Sequence, residues 1–195
     1  MATTDELLDF WFGAPGSPAH GRFRPEWFRK DAGFDETIRR RFLPDVEAEL
    51  GCPPASWSPR AETPRGALAL LLLLDQFPRN LFRGEARAFA GDERARAIAG
   101  AVVARGWDRE LSGVERIFAY LPFEHGEALA DQERSLQLFG RLAAELPGFD
   151  DTLDYARRHH EVIARFGRFP HRNAALGRTS TAAELAYLAQ PGSGF

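Results

Sequence analysis

Cysteine and lysine are almost absent from this chain of 195 residues, and their scarcity excludes several classes of site. Cys52 is the only cysteine, which excludes an intrachain disulfide and a zinc site built from several thiolates, and suits a reducing cytoplasm. Lys30 is the only lysine, so arginine carries almost all of the positive charge. A GC-rich genome would produce this bias, and so would a demand for the bidentate anion contacts that arginine makes and lysine does not.

The sequence also has no long hydrophobic run and no excess of basic charge. The longest apolar run, Ala67 to Leu74, is far shorter than the roughly 20 residues of a membrane helix. The acidic start of the sequence, at Asp5 and Glu6, is unlike the basic beginning of a secretory signal. The net charge of -3 and the pI near 6.0 argue against general nucleic-acid binding. We therefore expect a cytoplasmic protein without a membrane or nucleic-acid partner.

Strand patterns are missing as well, since no run of alternating β-branched residues and no Asn-Gly hairpin is present. Apolar residues recur instead with helical spacing along most of the sequence. We predict a single all-α domain over residues 1–195 with about eight helices, joined by short connections that make neighbours antiparallel. Capping signals place helix starts, and prolines place interruptions. The predicted starts are Thr63-Pro64, Asp92, Ser112 with Glu115, and Thr181 with Glu184, and the predicted interruptions are at Pro44 and Pro122.

A first group of polar residues directly follows the most apolar segment of the sequence. A buried carboxylate or amide without partners costs a few kcal/mol, so polar residues that enter the core here require partners. The arginines of the same segment are the natural candidates, and we predict that the group binds a ligand. Its members are Asp75, Gln76, Arg79, Asn80 and Arg83.

A second group contains carboxylates beside a histidine. Glu124, Glu127 and Asp131 have i, i+3, i+7 spacing, which forms one acidic stripe if the segment is helical, and His125 is adjacent. Carboxylates with imidazole suit a divalent cation. The same acids would also favour the positive end of a helix dipole, and the Glu-x-x-His pairs of di-iron bundles are missing.

A third group is the pair of adjacent histidines in a predicted helix over Asp150 to Phe166. His159 and His160 point about 100° apart, so one of them faces solvent. We predict His160 as the inward residue, because Tyr155, Ile163 and Phe166 then lie closer to its side.

The fourth group is a basic segment at the end of that helix. Tyr155 to Arg178 contains six arginines and one acid. Gly167 is suited to a left-handed helix cap. Planar guanidinium groups recognise carboxylate and phosphate bidentately, and their alternative role is to pair with Asp75, Asp92, Glu124 and Glu127. The predicted ligand-binding residues here are Arg168, His171, Arg172, Asn173 and Arg178.

Taken together, these segments resemble a bacterial family of uncharacterised proteins, a domain-of-unknown-function family with a tetratricopeptide-like helical fold. The resemblance rests on three motifs: Leu74 to Asn80, Pro122 to His125, and Phe166 to Asn173 with Leu176-Gly177-Arg178. It begins at Leu8 and covers nearly the whole chain. It implies a right-handed array of antiparallel helix pairs and no established reaction. Where Gly126 stands, the resemblance leads us to expect serine more often.

Three functions are compatible with the sequence. In the first, a pocket binds a small anionic ligand through Arg79, Arg168 and Arg172, with His125 or His160 as the proton-transfer residue and Glu124 orienting it. In the second, a metal-dependent hydrolase uses Glu124, His125, Glu127 and His160. In the third, a helical scaffold binds a protein partner. A homodimer is compatible with all three. No nucleophile is evident, because the sequence contains no Gly-x-Ser-x-Gly elbow and no phosphate-binding glycine loop, and the sequence does not identify a cofactor.

Overall fold

The computed structural model describes residues 1–53 and 56–194, and these residues are helical with no strand among them. The α-helices are α1 (Thr4–Phe12), α2 (Ala32–Leu50), α3 (Pro64–Leu71), α4 (Phe77–Leu81), α5 (Asp92–Ala104), α6 (Gly113–Glu124), α7 (Leu129–Glu145), α8 (Asp150–Phe166) and α9 (Ala182–Leu188). A π-helical turn, Leu72–Gln76, joins α3 to α4. The shorter 3₁₀ turns are Pro25–Trp27, Pro59–Glu62, Ala86–Phe89, Trp107–Glu110 and Pro170–Arg172. The all-α prediction is confirmed, while the tetratricopeptide-like array stays a prediction.

The predicted helix starts at Thr63-Pro64 and at Thr181 are confirmed by their side-chain caps, and α5 begins at Asp92 as predicted, without such a cap. The hydroxyl of Thr63 accepts the Gly66 N–H at the start of α3. At α9, Thr181 and Glu184 form the predicted capping box. At the C-terminal end of α8, Gly167 has φ 68° and ends the helix in the left-handed conformation, as predicted. Local capping chemistry therefore sets these ends.

The prediction that Pro122 stops its helix is wrong, and of the kink or break predicted at Pro44, the break is wrong. Pro44 lies inside α2, which continues from Ala32 to Leu50, and Pro122 lies inside α6, which continues to Glu124. A proline inside a helix costs about 3 kcal/mol. Buried apolar residues flank both prolines, including Phe42 and Val46 around Pro44, and their burial offsets that cost.

Two compact units make up the chain. The first unit consists of Met1–Arg83 and Arg87–Pro122, and the second consists of Gly84–Ala86 and Phe123–Phe195. In the first unit, α3 packs against α1 and α5, and α2 packs against α4. Its core is built on aromatic rings that contact edge to face and by stacking, namely Phe10, Trp11, Trp27, Phe42, Phe77 and Phe118.

The π turn in the first unit has a local cause. Pro78 has no N–H to donate to the carbonyl of Leu74 four residues earlier, and the Phe77 N–H bonds to the Leu72 carbonyl five residues earlier, which defines a π turn. Gly91 approaches the same place closely, because a Cβ atom at position 91 would lie 2.2 Å from the Leu74 carbonyl oxygen. The backbone is therefore tightly packed where the first polar group begins.

In the second unit, α7 and α8 pack against each other along their length, and α9 contacts the Pro170–Arg172 turn. Val162, Ile163 and Phe169 form a small buried core, against which Phe166 and Tyr187 are packed. α8 supplies one side of this core, and the chain that follows its Gly167 cap supplies Phe169.

Among the described residues, no helix combines the length and the apolar character that crossing a membrane requires.

Candidate functional site

The first polar group lies within the first unit and forms ion pairs with neighbouring helices. The Arg79 guanidinium binds both carboxylate oxygens of Asp92, at 2.8 and 3.0 Å, and lies 3.1 Å from a carboxylate oxygen of Asp75. The amide of Gln76 also donates to Asp75, which is 1 % exposed. The predicted pairing of Arg79 with Asp75 is confirmed, and Asp92 is a second partner that the sequence did not assign to Arg79.

Asn80 and Arg83, the remaining members of this group, both bind Asp35 of α2. The Asn80 amide donates to Asp35 at 2.7 Å, and the Arg83 guanidinium binds both oxygens of Asp35 at 2.8 and 2.9 Å. Burial acts to lower the pKa of Arg79, but the attraction of Asp75 and Asp92 outweighs it, and the pKa is raised. The guanidinium groups of this segment thus already hold carboxylates, which favours a structural role, while their ligand-binding role stays a prediction.

The other three polar groups lie within the second unit, and parts of them meet there. Glu124 is the last residue of α6, and His159 lies in the middle of α8. His159 Nδ1 is 2.9 Å from the Tyr155 carbonyl oxygen and 3.3 Å from Glu124 Oε1. Both neighbours are acceptors, so Nδ1 carries the proton and Nε2 is left as the acceptor nitrogen. His159 and Glu124 are 5 % and 3 % exposed.

His159 is held in its neutral form. Burial is the main cause, and the nearby positive or ionisable groups of His125, His171 and Arg172 act in the same direction. The hydrogen bond to Tyr155 opposes them, and the resulting pKa of His159 is lowered to about 3. At neutral pH this ring is therefore a hydrogen-bonding group, not a cation.

Phe169 is packed between two histidine rings and an arginine side chain. Its ring centroid lies 5.6 Å from that of His159 and 5.5 Å from that of His171, and the Arg172 guanidinium carbon lies 4.5 Å from it. The His125 ring lies 6.4 Å from that of His159. We call this set the histidine cluster: Glu124, His125, His159, Phe169, His171 and Arg172.

Gln132 fixes the chain that carries Glu124 and His125. Its side-chain nitrogen donates to the carbonyl oxygens of Phe123, Glu124 and Gly126, at 3.4, 2.7 and 2.6 Å. The side chain is 0 % exposed. The last carbonyls of a helix lack partners within the helix, and Gln132 supplies them at the end of α6.

Glu127 and Arg178 fix the other half of the site. The Arg178 guanidinium binds both oxygens of Glu127 at 2.7 and 3.0 Å, and Glu127 also accepts the Phe169 N–H at 2.8 Å. Burial alone would raise the pKa of Glu127, but these bonds outweigh it and lower the pKa. The Arg178 Nε donates to Asn173 at 3.0 Å. The predicted pairing of Glu127 with the basic segment is confirmed.

Arg168 forms a separate pair on the same unit. It binds both oxygens of Glu184 at 2.6 and 2.8 Å and donates to the Thr179 carbonyl. The bond from Arg168 is the main cause that lowers the pKa of Glu184 to about 2, and the Thr181 N–H adds to it. Arg168 therefore connects the end of α8 to α9, and its predicted binding of an external anion stays a prediction.

The prediction that His160 points inward is wrong. His159 is buried, whereas His160 is half-buried. The reason is that Tyr155, which we took as an inward residue, is exposed, while Ala156, Val162 and Ile163 are buried and share the face of His159. The spacing of Ala156, His159 and Val162 was the signal that could have identified the inward histidine. Gln132, which sequence reasoning also missed, gave no signal beyond its polarity.

The acidic stripe of the second group is not helical along its length. α6 ends at Glu124 and α7 begins at Leu129, so Glu127 lies between helices. A Cβ atom at Gly126 would lie 2.4 Å from Asp131 Oδ2, so a serine there would displace the Asp131 side chain. Over residues 1–53 and 56–194, no group of three His, Cys, Asp or Glu side chains has a geometry able to hold a metal ion.

Neither of two depressions on the described surface is lined by the histidine cluster. One of about 280 Å³ lies in the second unit and one of about 300 Å³ lies in the first. The second-unit depression is lined by Arg158, Glu161, Val162, Arg165, Phe166, Tyr187 and Gly192. The first-unit depression is lined by Met1, Ala2, Glu6, Arg41, Phe42, Pro44 and Asp45.

Comparison with known proteins gives a family and a fold. The model of a family described as "Bacterial protein of unknown function (DUF924)" matches residues 7–192. A solved structure of a protein of unknown function from Agrobacterium tumefaciens is 38 % identical to this chain, covers 95 % of it and 96 % of its own chain, and has a TM-score of 0.77. No curated protein matches. These relatives carry no reaction over to the chain.

Proposed function

This chain belongs to the bacterial family of proteins of unknown function DUF924, and from that premise we propose that its histidine cluster binds a small anionic molecule in the cytoplasm. The observation that carries the proposal is the arrangement around Phe169, where three imidazole rings and the Arg172 guanidinium lie beside the buried contact of Glu124 with His159. Groups whose pKa values are strongly shifted by burial and by charged neighbours concentrate at functional sites.

The cluster is rich in hydrogen-bond donors. Arg172 supplies a guanidinium group, which binds carboxylate or phosphate oxygens bidentately. His125 and His171 are half-buried, so solvent reaches them and a ligand would too. We propose these three side chains as the anion contacts, because they belong to two short chain segments whose positions Gln132 and Glu127 fix.

The acid/base part of the proposal falls to His125. His159, with its pKa lowered to about 3, accepts hydrogen bonds through Nε2 but is a weak proton carrier at neutral pH. Glu124 contacts Nδ1 of His159. We therefore propose that Glu124 orients His159, and not His125 or His160 as the sequence led us to expect. His125 is half-buried and its ring lies 6.4 Å from that of His159, so solvent and a ligand can reach it, and we propose it as the proton-transfer residue.

Calorimetry and thermal melting in parallel test the proposal. Inorganic phosphate, acetate and a sugar phosphate are added to the wild-type protein and to the His171→Gln and His125→Gln variants. A ligand at about 100 times its Kd adds roughly 2.7 kcal/mol to the free energy of unfolding, which is a shift of several degrees. We expect such a shift with at least one anion in the wild type and its loss in His171→Gln.

Arg134→Gln is the matched control, because Arg134 is an exposed arginine in the same unit. It is expected to keep the anion shift. A shift with Mg²⁺, Mn²⁺ or Zn²⁺ that is lost in His125→Gln would replace the proposal with the metal-dependent hydrolase. No shift with any additive, together with variants that melt earlier than wild type, would leave the cluster a structural network and favour the protein-interaction scaffold.

A further inference from the structure

The depression between α8 and α9 has a chemical character that the histidine cluster does not share. It has a volume of about 280 Å³, just below the range of about 300–1,000 Å³ for pockets that hold drug-sized molecules, so it fits only a small ligand. Arg158, Glu161 and Arg165 follow i, i+3, i+7 spacing and so lie on one face of α8. All three are exposed, and Gly192 completes the lining beyond α9.

The two arginines of this depression lack the partners that other arginines of the chain have. In the described part of the chain, neither guanidinium lies within 4.0 Å of a carboxylate oxygen. Their recorded contacts are with aromatic rings: Arg158 lies 5.2 Å from the centroid of Tyr155, and Arg165 lies 4.7 Å from that of Phe166. By contrast, Arg157 on the same helix is paired with Asp154 at 2.7 Å. Two positive charges thus remain available for an anion from solution.

The floor of the depression is apolar. Val162 is 6 % exposed, and the rings of Phe166 and Tyr187 are partly buried with centroids 5.3 Å apart. The Tyr187 hydroxyl makes no hydrogen bond to any residue that the structure describes. Burial raises the pKa of Tyr187 despite the opposing charge of Arg165, so the hydroxyl keeps its proton and remains a donor.

We propose that the depression between α8 and α9 binds a small organic monoanion, a carboxylate carried on an apolar or aromatic body. The carboxylate lies against Arg165 and the Tyr187 hydroxyl, and the apolar body lies on Val162 and Phe166. Arg158 contributes the second positive charge. Glu161 lies between the two arginines, so the three side chains carry a net charge of about +1. Because repulsion by Glu161 grows with the charge of the ligand, it disfavours a polyanion such as phosphate more than a monocarboxylate.

Benzoate is the probe, and benzamide is its neutral counterpart with the same ring. We expect benzoate to bind measurably by isothermal calorimetry, with benzamide and inorganic phosphate each at least ten times weaker. In ¹H–¹⁵N spectra, the benzoate shifts should concentrate at Gly192 and Phe166. Arg165→Gln should weaken benzoate binding about tenfold or more, and Tyr187→Phe should weaken it several-fold.

Arg134→Gln, at an exposed arginine outside the depression, should leave the benzoate Kd unchanged. His171→Gln should also leave it unchanged, which separates this site from the histidine cluster. Equal binding of benzoate and benzamide, or a benzoate Kd that survives the Arg158→Gln/Arg165→Gln double substitution, would overturn the proposal. Loss of benzoate binding in His171→Gln alone would overturn it as well, by assigning the ligand to the cluster.

Discussion

Both units pair motif arginines with carboxylates, but only the second unit also packs imidazoles around an aromatic ring and leaves two arginines, Arg158 and Arg165, exposed to solvent. Arg79 holds Asp75 and Asp92 in the first unit. In the second, the His159 ring is buried and neutral, and Arg158 and Arg165 line an open depression. Arginines of these segments therefore have different roles, although the sequence does not distinguish them. An arginine that is paired with a carboxylate contributes to folding, whereas the exposed Arg158 and Arg165 are available to a ligand.

The largest effect expected from this comparison is at Arg79. Arg79→Met leaves Asp75 buried without its main positive neighbour, and breaking a buried pair in this way costs about 3–5 kcal/mol. Arg165→Met in the second unit should cost under about 1 kcal/mol, since it removes only a contact with the exposed face of Phe166. Urea unfolding of both variants measures the difference. Equal losses would show that the two units use arginine in the same way.

Backbone packing gives the next comparison. Gly91→Ala in the first unit brings a methyl group against the Leu74 carbonyl, which cannot move alone, and the expected loss is about 3 kcal/mol. Gly126→Ala in the second unit meets the side chain of Asp131, which can rotate, so the loss should be about 1 kcal/mol. Gly100→Ala in α5 is the control, because open space surrounds it, and it should stabilise the protein by about 0.5–1 kcal/mol. Thermal melts of the three variants check this order.

A smaller, pH-dependent effect is expected at His159. Its pKa is about 3 when folded and about 6.5 when unfolded, so the unfolded chain takes up the proton first as the pH falls. The stability conferred by the neutral ring is present in full above pH 6.5 and is lost down to pH 3, at up to about 1.4 kcal/mol per pH unit. Urea unfolding at pH 7, 6 and 5 should show this loss in the wild type and in His160→Gln, and a reduced loss in His159→Gln. An unchanged slope in His159→Gln would contradict the assignment.

Features set by a few adjacent residues were predictable from the sequence. Thr63-Pro64, Thr181 with Glu184, and Gly167 act on the backbone within one turn, and their chemistry is readable locally. The ends of α8 were predicted at the observed residues. Pro44 was misjudged because its effect depends on how much apolar surface the surrounding helix buries, and that is a tertiary quantity.

The site was predictable in its residue types but not in its contacts. Arg168 and Arg178 were identified as anion-binding groups and Glu127 as a candidate partner, yet the pairing of Glu127 with Arg178 in particular, and of Glu184 with Arg168, is set by how α9 and the chain after α8 pack. The choice of His160 over His159 was wrong because Tyr155 was counted among the inward residues, although the spacing of Ala156, His159 and Val162 indicates the buried face of α8. Local patterns therefore selected the segments, and only packing assigned the partners.

The π turn of the first unit has a consequence for how this helix can change over evolution. Deleting one residue between Leu72 and Gln76 would restore an ordinary helix and rotate the following turn by about 100°. Phe77 would leave the aromatic core, and Arg79 would turn away from Asp92. The length of this turn is therefore tied both to the position of Phe77 in the aromatic core and to the Arg79–Asp92 ion pair, and a change of one residue would disturb both at once.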